Sequence, residues 1–356
     1  MTEGPRGAPH GTPEGDLAVR LLAWFDAHRR DLPWRRNRDP WSIWVSEVML
    51  QQTRVEAVRA AFERFIARFP TPAAFAAADD DEVLRAWRGL GYYRRARLLR
   101  DGARAVVAEH AGAVPPDPEQ LGRLPGIGSY TRGAIASIAF DRREAAIDGN
   151  VERVAARHRG IAAEIKSAVG QRAVRAFVEA TLPDARPGDF NQALMELGAT
   201  VCTPTSPRCG DCPVGDDCVA HAAGRTAELP VRKPRRAPLE IGSRAVLVRR
   251  GGDVLGARVP AGEPNAGQVE LPGAGVLVTV DASDLRGILR TRYGAAIEVG
   301  AELARIRHAI THHRITLTVH TARVDARGTL SWHPEGDETP WTTPARKAFA
   351  ATGEQA

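Results

Sequence analysis

Three sets of residues in this chain have side chains and spacings that could do chemistry: a glutamate inside an apolar helix, an aspartate that opens a helix, and a group of cysteines. The glutamate is Glu47, within WSIWVSEVMLQQTR, residues 41–54. On a helix it neighbours Ile43, Trp44, Leu50 and Gln51, and only the last is polar. A carboxyl placed there loses solvation, which raises its pKa. A carboxylic acid still protonated near neutral pH is a general acid. The plain alternative is a glutamate at the edge of the stripe with its head in water. The aspartate is Asp148, in Asp148-Gly149-Asn150, where an acid either caps the next helix or takes part in a reaction. The four cysteines are Cys202, Cys209, Cys212 and Cys218, spaced C-x6-C-x2-C-x5-C, and the chain has no other thiol. A cytosolic setting disfavours disulfides, and four thiolates in one loop imply a metal centre. Structural zinc usually draws two close pairs. Here only Cys209 and Cys212 are close, which leans towards a 4Fe–4S cluster.

Something must hold these groups, and the clearest holder is LPGIGSYTRGAI, residues 124–135. Pro125-Gly126-Ile127-Gly128 reads as a tight hairpin in which Gly126 and Gly128 free the backbone for positive φ and close approach to a ligand. Ser129 is placed to cap the helix that follows. Thr131, Ala134, Ile135 and Ile138 recur at helical spacing as one buried stripe, and Leu124 and Ile127 anchor the hairpin. The exposed N–H groups at that helix start suit a phosphate oxygen. An ordinary glycine turn between helices is the alternative; the nearby Asp148 and the cysteines shift the weight to a nucleic-acid clamp.

The other elements up to residue 200 all read as helices: 17–28, 41–54, 57–69, 79–88, 96–110, 151–159, 169–181 and 190–200. Residues 1–16 read as a disordered tail. Gly89-Leu90-Gly91-Tyr92-Tyr93-Arg94-Arg95 is a glycine turn with aromatics beside arginines, suited to bases and phosphates. No internal repeat is visible. A length of 356 residues favours two domains. Lys+Arg 49 against Asp+Glu 43 gives a net charge of +6, which fits a polyanionic partner. Only Lys166, Lys233 and Lys347 are lysines. No apolar run approaches membrane-spanning length and no signal-peptide core opens the chain, so a cytoplasmic protein is expected.

With these residues assembled, the chain resembles the helix-hairpin-helix, Gly/Pro, Asp superfamily of DNA glycosylases, and within it the MutY-type adenine glycosylases. The motifs are LPWR (32–35), WVSEVMLQQTRV (44–55), GLGYYRRAR (89–97), LPGIGSYTRGAI, DGNVERV (148–154), FNQALMELGA (190–199) and the four cysteines. The resemblance implies a mainly α helix-hairpin-helix glycosylase domain over 17–220: a six-helix bundle, an iron–sulfur helical subdomain with its loop at 202–218, and a cleft between them. It implies that Glu47 protonates adenine N7 and that Asp148 stabilises the oxocarbenium sugar or attacks it. Tyr130 and Asn150 resemble their immediate partners. Tyr92 and Gln52 resemble the side chains that wedge into the duplex, and Arg35, Trp34, Leu50 and Gln192 the lining of the adenine pocket. Related endonuclease III-like enzymes carry a Schiff-base lysine where Tyr130 stands, so a monofunctional enzyme is expected. Its implied partner is double-stranded DNA with an A:8-oxoguanine or A:G mispair, bound by a bacterial-type, nucleoid-associated monomer.

Residues 221–238 read as a Pro- and Arg-rich linker. Beyond it, strands at 245–249, 253–258, 275–280, 296–299 and 314–324 and a helix at 285–293 make an α/β tail. This tail, 239–350, resembles a Nudix-like lesion-recognition domain. Glu270-Leu271-Pro272-Gly273 matches the approach to a Nudix helix, but LRGILRTRYG lacks the glutamates that would hold Mg²⁺. The family reads 8-oxoguanine with a Phe-Ser-His loop; here Ile310-Thr311-His312 stands there, keeping a hydroxyl and losing the Phe. The rivals are an endonuclease III-like bifunctional glycosylase/lyase, a non-catalytic iron–sulfur DNA sensor, and a Nudix hydrolase.

Overall fold

The computed structural model describes residues 13–234, 237–263, 265–275, 284–310 and 312–353. Within them the chain forms two compact units. One runs to Ala77 and resumes over Arg97–Pro234; the other takes Ala78–Ala96 and the residues from 235 on.

The first unit is helical: α1 (Pro13–His28), α2 (Pro40–Leu50), α3 (Val55–Arg68) and α4 (Pro72–Ala76) precede Ala77. A further α5 (Asp80–Ala86) belongs to the other unit, and α6 (Arg94–Glu109) leads back. Then come α7 (Pro118–Arg123), α8 (Ser129–Phe140), α9 (Gly149–Arg159), α10 (Ala168–Thr181), α11 (Pro187–Thr200) and the short α12 (Val219–Ala222). The helix of the glutamate begins where Asp39 accepts a bond from the Ser42 N–H at 2.8 Å, with Pro40 in the first turn, where no donor is missed. All nine residues from Trp41 to Met49 are buried, as expected of a helix apolar on most faces. It stops at Leu50, four residues short of the expected end, because the chain turns at Gln52 with φ 58. Its Trp41 meets Phe75, which packs with Phe65 and Phe69, in tilted and edge-on contacts with centroids 4.9–6.0 Å apart. A second core joins α1, α9, α10 and α11 through Leu21, Phe25, Val151, Phe177 and Phe190.

The hairpin differs from expectation in two details. Gly126 has φ 80, and a Cβ there would lie 2.9 Å from that of Leu98. Gly128, however, is extended (φ −87, ψ 179) and is itself the cap of α8, so Ser129 is the first helical residue and caps nothing. Leu124, Ile127, Thr131, Ala134, Ile135 and Ile138 are all buried. The supposed tail is helical from Pro13; residues 1–12 lie outside the described residues. The supposed linker is tied to the helical unit up to Pro234. Arg157 Nε donates to the Leu229 carbonyl at 3.0 Å, and the Ile165 N–H to that of Val231 at 2.9 Å.

The second unit holds β1 (Leu239–Leu247), β2 (Arg249–Arg250), β3 (Asp253–Arg258), β4 (Val269–Glu270), α13 (Leu285–Tyr293), β5 (Ala296–Ile310), β6 (His313–Ala326), β7 (Ser331–Pro334) and α14 (Thr343–Thr352). One sheet runs β1-β6-β5, with β1 parallel and β5 antiparallel to β6; the other runs β2-β3-β4 with β7 on β3. The alternation of β6 buries Ile315, Leu317 and Val319, the last two in one core with Trp341 and Phe349. The strand expected at 275–280 falls outside the described residues from 276 on. The segment Ala78–Ala96 joins this unit through Arg258–Asp81 at 2.8 Å and through Asp337, which bridges Arg88 and Arg346, each at 2.9 Å.

Candidate active site

One cavity of about 640 Å³ opens in the helical unit, and its walls include Glu47, Asp148, Tyr130, Asn150, Arg35, Trp34, Leu50, Gln52 and Gln192. Every cavity residue expected from the sequence is thus brought to one place, from α2, α8, α9, α11 and the 3-10 turn Pro33–Arg35. Tyr92, Gly126 and Gly128 do not line it. His312 lies in the other unit, its ring 4.1 Å from that of His313, and Thr311 lies outside the described residues.

Glu47 sits mid-helix, 6% exposed. Burial pushes its carboxyl up to about 7; the Tyr130 hydrogen bond opposes that, nearby Asp148 adds to it, and Arg35 opposes it again. Tyr130, the second residue of α8, donates its hydroxyl to Glu47 Oε2, and its oxygen lies 3.3 Å from Met195 Sδ. Burial and the two carboxylates hold the Tyr130 hydroxyl well above its ordinary pKa, so it is a fixed donor.

Asp148 is the N-cap of α9. Its Oδ1 accepts from the Asn150 and Val151 N–H groups at 2.9 and 2.8 Å, and its Oδ2 from Asn150 Nδ2 at 2.7 Å. Burial raises its pKa, while those bonds and Arg153 pull it down. Three donors on its two oxygens favour the ionised form, although burial leaves its pKa raised overall. The cap bonds hold this carboxylate in the cavity wall, so acting as the cap does not remove it from the cavity. Arg153 extends the chain of contacts. Its Nη2 donates to Asn150 Oδ1 at 2.8 Å and to the Gly198 carbonyl at 2.7 Å, and its Nε to the Cys202 carbonyl at 2.7 Å. A Cβ on Gly198 would fall 2.6 Å from that of Asn150, so glycine there lets α11 approach α9.

Sequence reasoning missed three contributors. Arg153 stands three residues after Asn150, on the same helix face, and could have been found by that spacing. Glu196, one turn beyond Gln192, is 1% exposed. It takes Arg30 Nε at 2.7 Å and Nη2 at 2.8 Å, and Arg35 Nη2 at 2.9 Å. Burial alone would raise its carboxyl, but the arginine bonds win and bring it to about 2. Arg35, its guanidinium also 5.5 Å from the Phe25 ring centroid, is thereby fixed in the cavity wall. The third is Lys166. One of only three lysines in the chain, it lines the cavity, with Nζ 2.7 Å from the buried Glu152.

The four cysteines line one small pocket with Arg157, whose Nη1 donates to Cys202 Sγ at 3.3 Å. Burial, then its three sulfur neighbours, push the Cys212 thiol up to about 11; sulfurs crowded in this way call for a positive centre. Among the described residues no three of His, Cys, Asp and Glu converge as a single metal ion would require. All four cysteines line the one pocket, which fits a cluster with one cysteine per iron.

Residues 45–178 match the family of HhH-GPD superfamily base excision DNA repair proteins, and residues 202–218 the iron-sulfur binding domain of endonuclease III. The chain is 45% identical over 219 residues to the adenine DNA glycosylase of Mycolicibacterium smegmatis, covering 61% of this chain and 74% of that one. It is 43% identical over 237 residues to that of Mycobacterium tuberculosis, covering 63% and 77%. With the adenine DNA glycosylase of Rattus norvegicus it shares 48% over 222 residues, but the match spans only 59% of this chain and 43% of that one. Among solved structures, a thermostable thymine-DNA glycosylase superposes with a TM-score of 0.55 at 27% identity, covering 59% of this chain and 97% of that one. A non-covalent endonuclease III–DNA complex, at 0.50 and 23% identity over 58% and 94%, shares the fold.

Proposed function

Because the chain belongs to the adenine DNA glycosylase family, within the HhH-GPD superfamily of base excision repair proteins, we propose that it hydrolyses the N-glycosidic bond of adenine mispaired with 8-oxoguanine or guanine in duplex DNA. The observation that supports this most is the Glu47 carboxyl, lifted to about 7 and gripped by Tyr130, in the same cavity as the Asp148 carboxylate. A base inside a duplex is out of reach, so the adenine is flipped into the cavity. Tyr130 fills one oxygen of Glu47 as a donor; the other carries the proton and gives it to adenine N7. Protonation turns adenine into a good leaving group. The sugar left behind is positive, and Asp148, ionised and fixed by its three bonds, stabilises it or forms a bond to it before water completes the hydrolysis.

In this reading Arg35, Trp34, Leu50 and Gln192 hold the base, with Arg35 set by Glu196. Tyr92 and Gln52 enter the duplex. Both are exposed non-glycine residues with left-handed backbones, φ 47 and 58, and such strain gathers at functional sites. The Gly126–Gly128 hairpin and the α8 N-terminus take a backbone phosphate. Cys202, Cys209, Cys212 and Cys218 hold the 4Fe–4S cluster, whose contribution is to order the loop that carries it. Lys166, ion-paired with Glu152, is not poised as a nucleophile, so the abasic strand stays intact.

The second unit is read as a Nudix-like lesion reader in which Thr311 and His312 meet 8-oxoguanine; a hydroxyl can both donate and accept and so can tell an N7–H from a bare N7. Glu270 is engaged by Arg292 at 3.1 Å, which argues against a metal site there. The protein is read as a monomer working in the cytoplasm on the nucleoid; no described helix is long and apolar enough to cross a membrane. Excision assays on a panel of mispaired duplexes test the proposal. Free adenine, with a strand that breaks only on alkali and gives little borohydride-trapped adduct, is the expected outcome. Removal of pyrimidines, or nicking without alkali, contradicts it.

A further inference from the structure

We propose that Arg95 is a positioning residue that holds Tyr92 ready to enter the duplex. The proposal rests on the reading of Tyr92 as an intercalating side chain. Tyr92 is the one aromatic among the large apolar side chains left exposed in the described residues, at 47%. Its backbone is left-handed, between Gly89 and Gly91 on one side and the start of α6 on the other. A tyrosine does not adopt that conformation unaided, so its surroundings must impose it.

Arg95, in the first turn of α6, is what surrounds it. Its guanidinium carbon lies 5.7 Å from the Tyr92 ring centroid and 5.6 Å from that of Trp87. Its Nη2 donates to the Leu90 carbonyl at 2.9 Å and to the Gly91 carbonyl at 3.1 Å, and its own N–H to the Tyr92 carbonyl at 2.9 Å. Three consecutive carbonyls of the turn therefore bond to one residue. Trp87 Nε1 adds a second donor to Gly91 at 3.1 Å. A planar guanidinium can bond carbonyls at its edge while its face meets a ring; a lysine ammonium cannot do both. The cation is costly to bury here, and desolvation draws its pKa down to about 10. A cost of this kind persists where a shape must be kept.

That shape bears on one step. Opening the stack around adenine leaves a gap that an aromatic must fill. A turn already ordered gives up less entropy on entering it. Arg95 therefore acts on extrusion of the base and not on cleavage of an extruded nucleotide.

The test is single-turnover excision by the full chain and by Arg95→Lys, Arg95→Gln, Tyr92→Ala and the Arg95→Lys/Tyr92→Ala double variant. Two substrates are used: adenine paired with 8-oxoguanine, and adenine opposite an abasic spacer, where no pairing resists extrusion. Losing bonds from a charged donor predicts that Arg95→Lys slows the paired substrate by roughly tenfold or more and the spacer substrate far less. Arg95→Gln, which keeps a planar donor without the charge, falls between. The double variant is no slower than Tyr92→Ala, because the two residues act as one unit. Visible cluster absorbance and an unchanged melting temperature check that each variant is folded. Equal slowing on both substrates, or additive losses in the double variant, makes Arg95 a merely structural residue and overturns the proposal. Wild-type rates in both Arg95 variants overturn it too. If Tyr92→Ala itself excises normally, it is the reading of Tyr92 that fails.

Discussion

Glu47 and Asp148 have the same functional group, and burial raises both, but by different balances of burial and hydrogen bonding. Glu47 lies in an apolar helix and receives one hydrogen bond, which leaves its pKa near 7. Asp148 receives three. The proposed reaction needs the first protonated and the second ionised, so the pH dependence carries both signs. Excision falls as pH rises through about 7 and Glu47 loses its proton. It falls again at acid pH as Asp148 gains one, at a pH above the ordinary aspartate range because burial raises it. Single-turnover rates across pH should trace a bell; a flat alkaline limb would remove Glu47 as the acid. Much of this was legible in the sequence, since helical spacing already placed Ile43, Trp44 and Leu50 around the glutamate. The Lys166–Glu152 pair was not, and Tyr130 was expected beside the glutamate only through the resemblance, because these contacts join residues 14 and 83 positions apart and no local pattern reports them.

Helix ends do the positioning. The N-cap of α9 is Asp148, the carboxylate proposed to react, the start of α8 delivers Tyr130, and the arrest of α2 at Leu50 sends Gln52 outward. Existence and type of the long helices were readable from periodicity, but their ends were set by capping that propensity does not show. Asp39 and Gly128 took the cap positions, the second instead of Ser129. Short or isolated pieces such as α4, α7, β4, β7 and α14 gave too little pattern to find. The 3-10 turn of Trp34 and Arg35 is tied to α11 by Glu196, and that tie can be weighed. Removing one partner of a buried ion pair costs about 3–5 kcal/mol, discounted here because the Arg30 side chain is 36% exposed. Glu196→Ala should thus destabilise the chain by about 2–4 kcal/mol in urea melts at neutral pH and release Arg35 from the cavity wall. The Glu196 carboxyl is depressed from 4.5 to about 2, so its contribution is whole above 4.5 and fades as pH falls through 2. A loss below about 0.5 kcal/mol, the size of a surface change, would show that Glu196 does not order this turn.

At the scale of the molecule, the sequence suggested catalysis up to residue 220 and lesion reading after 238. The structure blurs that line. The stretch carrying Tyr92 belongs with the sheets, through Asp81–Arg258 and Arg88–Asp337. Cutting after Pro238 should lower the preference for 8-oxoguanine over guanine, and it should also slow excision opposite guanine, since Asp81 and Arg88 lose their partners. Unchanged excision opposite guanine would mean that the Tyr92 stretch holds its shape without the sheets. Composition gave no hint of this, because a segment of nineteen residues that joins a distant unit looks locally like any other helix and turn. The proposed excision depends on one proton, that of Glu47. Glu47→Gln keeps the shape of the side chain and its bond from Tyr130 but removes the donor. The measurement is single-turnover adenine excision, with mispair binding measured alongside. The account predicts excision reduced by more than about 10²-fold with binding retained; near-normal excision by Glu47→Gln would contradict it.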